Sequence, residues 1–135
     1  RGKILKLGIS KKNGSQKIYF KPDHTGMSSL IKKKNKDFSK ILKCKFINSK
    51  GLNKIINNKT CNYLVKIDVE GLEKIVLKEL LKTKFFKFVN SLLIEISDLK
   101  DIEKINKMLK KKNFYLFKDF KSNLTNDYLF IRNEN

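Results

Sequence analysis

The first two apolar runs of the chain, residues 4 to 10, with Leu5, Leu7 and Ile9 in alternation, and residues 16 to 20, are strand-like and are separated by Lys-Lys-Asn-Gly-Ser. Asn13 and Gly14 tolerate positive φ, so the pattern predicts two strands joined as a β-hairpin. Residues 21 to 40 lose the alternation. They hold the only proline, Pro22, with Gly26 and a lysine-rich run at 32 to 36, and read as an exposed loop. Alternation returns at residues 44 to 49, a third strand. Leu52, Ile55 and Ile56 then fall at helical spacing in a short helix ended by Asn57 and Asn58.

Tyr63, Leu64, Val65, Ile67 and Val69 form a nearly continuous, largely β-branched run, which predicts a central strand covered on both faces. The period changes at Leu72. Leu72, Ile75, Val76 and Leu80 share one helical face, and Lys74, Lys78 and Lys82 point away from it. Residues 91 to 97 predict another buried strand, and Asp98 caps a second amphipathic helix carrying Leu99, Ile102, Ile105 and Leu109. Residues 114 to 120 and 127 to 133 flank a polar stretch and predict a closing antiparallel pair. The order strand, helix, strand, helix, strand, strand predicts an α/β sheet, mostly parallel with an antiparallel C-terminal strand pair, in one domain over residues 1–135.

Composition adds a charge problem. Thirty-two basic side chains against thirteen acidic ones leave a net charge of +19, which attracts nucleic acid, anionic surfaces or acidic substrates. Only Arg1 and Arg132 are arginines, so the planar fork that grips phosphates is nearly absent, and nucleic acid is not the expected partner. A non-enzymatic basic module for nucleic acid or anionic surfaces stands as the rival reading. Cys44 and Cys61 lack metal-ligand spacing, and His24, the one histidine, cannot complete a set with them. They read as small residues of a reducing, cytoplasmic setting, with a disulfide the lesser alternative and no metal. No apolar run approaches the roughly 20 residues of a membrane span, and no signal-peptide pattern is seen.

The remaining chemistry lies in the acids. Asp68 and Glu70 follow the apolar run at Tyr63, and Glu95 stands near the end of the next predicted strand, so neighbouring strands would bring three carboxylates to one rim. Such a rim can take a proton from a substrate hydroxyl or hydrogen-bond hydroxyl and amino groups. Gly71 permits a sharp turn or close approach by a ligand. For Glu70 and Glu73 the plain alternative is support of the positive end of the following helix. His24 and Ser28 read as residues of a solvated loop.

The segment "LVKIDVEGLEKIVLKELL" resembles the hallmark of FkbM-type methyltransferases. Lys66, Ile67, Asp68, Val69, Glu70, Gly71 and Glu73 match it, and Leu72 replaces the more usual alanine. "LGISKKNGSQKIYF", "TGMSSL", "CKFINSKGLNKII" and "LLIEIS" resemble the surrounding segments in the same order. The resemblance implies a Rossmann-like sheet and methyl transfer from S-adenosylmethionine to a hydroxyl of a sugar, lipid-linked or natural-product acceptor. It implies catalytic roles for Asp68, Glu70 and Glu95 and cofactor contacts at Asp68 and Gly71.

One departure matters. The family's glycine-rich strand-to-helix turn has no counterpart, since Gly2 and Gly8 lack its context. The expectation is therefore the later portion of such a domain without its first strands, inactive alone. An open sheet edge and uncovered apolar faces would then favour self-association.

Overall fold

The computed structural model describes residues 2–21, 24–29, 40–56, 61–96, 98–121 and 126–133. Their strands form two four-stranded sheets that share no strand. The first contains β1 (Gly8–Ile9), β2 (Gly14–Lys21), β3 (His24–Ser29) and β4 (Lys40–Ile47), in the order β1-β4-β2-β3. The expected hairpin is not formed, because β4 lies between β1 and β2. Phe46 is level with Gly8 on one side, in parallel pairing, and with Gly14 on the other, in antiparallel pairing. The Asn13-Gly14 turn therefore crosses the end of β4. Gly14 has φ +121°, and the Asn13 side chain accepts a 2.8 Å bond from the Asn48 N–H.

Strand β3 occupies part of the expected loop, whose Pro22 and lysine run lie outside the described residues. Strand β4 begins at Lys40 rather than residue 44. It leads into α1 (Ser49–Ile55), where Asn48 Oδ1 accepts from the N–H groups of Lys50 and Gly51. These are donors that a helix start leaves unpaired. The predicted stop at Asn57 and Asn58 lies outside the described residues.

The second sheet contains β5 (Tyr63–Ile67), β6 (Val89–Glu95), β7 (Phe114–Lys121) and β8 (Asn126–Arg132), in the order β5-β6-β8-β7. Helix α2 (Glu73–Leu80) connects the first two, and α3 (Ile102–Lys110) connects β6 to β7. The expectation of a mostly parallel, Rossmann-like sheet is overturned. Each sheet has one parallel pair, β1–β4 and β5–β6, and its other pairings are antiparallel. The physical reason lies in the connections. Parallel neighbours need a long crossover, which α2 supplies between β5 and β6, whereas β7 turns directly back into β8.

Strand β5 is also not central. It ends the sheet's strand order, and its burial alternates: Val65 and Ile67 face inward while Leu64 is 68% exposed. The covered face takes Val65 and Ile67, while the open face carries exposed Leu64 together with Lys66 and Asp68. The covered face holds Ile67, Leu92, Ile94, Tyr128 and Phe130 against Val76, Leu77 and Leu80 of α2 and Ile105 and Leu109 of α3. Burying each such side chain contributes about 1.5–3 kcal/mol. Asp98 does cap as expected, its Oδ1 accepting from Lys100 N–H at 3.0 Å. The residues it caps, Leu99–Asp101, form a short 3-10 turn that leaves Leu99 exposed rather than on the buried face.

Two polar clamps join these layers. Glu79, buried on α2, accepts from the Ser49 N–H at 3.0 Å and from Lys82 Nζ at 2.6 Å, fastening the start of α1 to α2. Burial alone would raise its carboxyl, but the bonds from Lys82 and Ser49 outweigh that and hold it below its ordinary value. Arg132 donates to the carbonyls of Val89 and Phe86 at 2.8 Å and of Lys112 at 3.2 Å, with its guanidinium 4.5 Å from the Phe114 ring centre.

Candidate functional site

The carboxyl ends of β5 and β6 lie side by side, with Ile67 level with Ile94, so that Asp68 emerges beside Glu95. Glu95 is in turn directly opposite Asp127, the second residue of β8. Side chains two apart share a face. Asp68, Glu95 and Asp127 therefore form a row at one end of the open face, with Lys66, Leu93 and Leu129 in the row below.

Lys66 Nζ lies 2.9 Å from Asp68 Oδ2, and both side chains are about half exposed, at 53% and 49%. That hydrogen bond, with the charges of Asp68, Asp127 and Glu95, holds the ammonium above its ordinary value. Glu95 is shifted upward too, first by burial and then by the negative charges of Asp68, Asp127 and Glu70, with Lys66 opposing. The shift makes Glu95 easier to protonate than an ordinary glutamate.

The sequence-predicted residues separate here. The charges of Asp68 and Glu70 act on Glu95, and all three lie at or just past the neighbouring ends of β5 and β6. Gly71 has φ +83°, which a side chain would strain, and a Cβ placed there would meet no atom within 4 Å. The turn is thus open to approach by a ligand. Glu73 is buried, and its Oε1 accepts from the Gly71 N–H at 2.8 Å. Its role is structural, bracing the turn that presents Asp68 and Glu70. His24 and Ser28 lie on β3, and Asp23 lies outside the described residues.

Asp127 is the member that sequence reasoning missed. It opens a predicted strand, and only the β6–β8 register brings it to Glu95. Gly8 has a packing role: an added Cβ would fall 2.3 Å from the Phe46 ring. Arg132, one of the two arginines, is spent on internal carbonyls. Among the described residues, no cluster of three His, Cys, Asp or Glu is set to hold a metal, and no helix is long and apolar enough to cross a membrane.

Comparison with protein families, with curated proteins and with solved structures returns no match.

Proposed function

We propose that the row of Asp68, Glu95 and Asp127, with Glu70 beside it, is the acceptor side of an S-adenosylmethionine-dependent O-methyltransferase site acting on a sugar, lipid-linked or natural-product hydroxyl. The observation that carries the reading is the upward-shifted Glu95 among three other carboxylates at the end of a parallel strand pair, next to an open Gly71 turn. A carboxyl shifted toward neutrality is a better general base than an ordinary one. In this reading Glu95 takes the proton of the acceptor hydroxyl. Asp68 and Glu70 accept hydrogen bonds from hydroxyl or amino groups beside it, and Lys66 orients Asp68 through their 2.9 Å hydrogen bond.

The donor set suits the cofactor in sign. Acidic acceptors favour a cation that also carries hydroxyl and ammonium groups, and Asp68 and Glu70, with the Gly71 turn, are the residues that would hold it. When bound, the cofactor supplies an electrophilic methyl group. The resemblance of residues 66–73 to the FkbM hallmark supports the same assignment. Cys44 and Cys61 are not joined in a disulfide, which suits a reducing, cytoplasmic setting.

Titration of the isotopically labelled chain with S-adenosylmethionine tests the proposal. Shifts centred on the amides of Asp68, Gly71 and Glu95 are expected, lost in Asp68→Ala. A titration that leaves those amides unmoved at saturating cofactor would sink the assignment.

A further inference from the structure

Strand β7 carries an apolar strip that nothing described in the molecule covers. Its register with β8 passes from Leu116 opposite Phe130 to Lys118 opposite Leu129, leaving Phe117 as an extra, unpaired residue. Such a bulge re-aims a side chain. Here the Phe117 ring stands edge-on to Tyr115 at 6.5 Å between ring centres. Tyr115, Lys118 and Phe120 oppose Ile131, Leu129 and Asp127, so they share the open face of the sheet. Phe117 is 58% exposed, Tyr115 45% and Phe120 44%. Contiguous apolar surface of this kind marks an interaction site.

The rim decides what it fits. Lys110, Lys111 and Lys112 are all exposed at the end of α3, immediately before β7, and Lys118 Nζ sits 5.0 Å over the Phe120 ring. An exposed aromatic strip with one lysine laid over a ring and a lysine run just before its strand has the composition of a lipid-interface contact. A second copy of the chain would bring +19 against +19. Nucleic acid would need bare rings for stacking, whereas Lys118 covers Phe120 and the strip continues into aliphatic Leu129 and Ile131. Acidic neighbours on the open face are Asp127, opposite Phe120, and beyond it along the row Glu95 and Asp68, while Asp119 lies opposite Tyr128 on the other face; the strip and its lysines are at the β7 edge, away from the β5 end of that row.

We propose that this strip seats on an anionic lipid surface, with Tyr115, Phe117 and Phe120 entering the headgroup boundary and Lys110, Lys111, Lys112 and Lys118 against the lipid charges. The inference stands apart from the methyltransferase reading, since lipid binding is measured without cofactor.

Co-sedimentation of the chain with phosphatidylcholine vesicles, and with equal parts of phosphatidylcholine and phosphatidylserine, tests it. Binding is expected on the mixed vesicles only and falls as salt rises. The double variant Phe117→Ser/Phe120→Ser loses at least about tenfold in partitioning. Replacing Lys110, Lys111 and Lys112 by glutamine loses roughly fivefold per lysine. All replaced side chains are exposed, and circular dichroism checks that the fold is kept. Ile41→Ser/Leu42→Ser, at exposed apolar positions of the first sheet, leaves binding unchanged. Equal binding to neutral vesicles, equal loss in the Ile41/Leu42 control, or binding indifferent to the β7 changes overturns the proposal. So does light scattering that shows a dimer dispersed by Phe117→Ser, or preferential capture of an oligonucleotide by the same strip.

Discussion

Glu95 and Asp127 stand directly opposite each other on adjacent antiparallel strands, two carboxylates in a position where a structural sheet favours opposite charges. Like charges so placed cost up to about 1 kcal/mol. Glu95→Gln is therefore expected to raise stability at neutral pH by up to about that amount while abolishing any proton transfer at the site. The sign follows from the upward shift: the unfolded chain loses this proton at lower pH than the folded one, so stability drops as pH rises through the folded value. Chemical denaturation at neutral and acidic pH checks it, with the advantage of Glu95→Gln disappearing in acid.

Asp127→Asn removes one of the charges that disfavour ionised Glu95. The Glu95 carboxyl, followed by carbon-detected NMR titration, is expected to move back toward the ordinary glutamate value. Asp68→Asn moves it in the same direction and also releases Lys66, whose ammonium then titrates lower. An unmoved Glu95 would mean that burial alone sets its proton affinity.

Glu79 behaves in the opposite sense. Its carboxyl is held below the ordinary value, so its contribution is complete above an unfolded value of about 4.3 and is lost as pH falls through the lower folded one. Replacing it with alanine leaves the Ser49 N–H without its acceptor and is expected to cost about 1–3 kcal/mol at neutral pH. Melting curves of Glu79→Ala and the parent chain should converge in strong acid.

Arg132→Lys keeps the charge and loses the fork. One ammonium cannot reproduce bonds to the carbonyls of Phe86, Val89 and Lys112 together with stacking on Phe114. A loss of about 2 kcal/mol by urea denaturation is expected, with little change in any binding to polyanions, since this guanidinium faces inward.

The two glycines separate sterics from conformation. Gly8→Ala drives a methyl into the Phe46 ring and is expected to cost about 1–3 kcal/mol. Gly71→Ala meets no atom, so only the positive φ is penalised, by about 1–2 kcal/mol. A larger effect of Gly71→Ala on cofactor response than on melting temperature would place the ligand at that turn.

The boundary between β5 and α2 was legible because the apolar period changes from two to the helical one within a few residues around Gly71. That same boundary positions Asp68 and Glu70. Strand β3 was not legible, since "HTGMSS" carries no apolar alternation and is recruited by backbone pairing with β2. The Asn13-Gly14 signal was local and marked a change of direction, but it could not report that β4, which begins only at Lys40, takes the place between the two strands. Likewise the burial of Glu73 and Glu79 was hidden, because charged residues on a helix read as solvated until the Gly71 and Ser49 amides are known to face them. The one-sided covering of β5 was lost for a related reason: Leu64 reads as a buried member of the run until it is seen to share its face with Lys66 and Asp68.

The fastening of α1 to α2 through one carboxylate has a mechanical corollary. Of the first sheet, only Phe46 among the described side chains is a fully buried apolar residue, while β6 and β8 are threaded through the central core. The β2–β3–β4 arm is thus set to open as a unit well before the rest melts. Its amides should exchange with solvent deuterium at a lower free energy than those of Leu92 and Phe130, and weakening Glu79 should widen that gap by releasing the arm first.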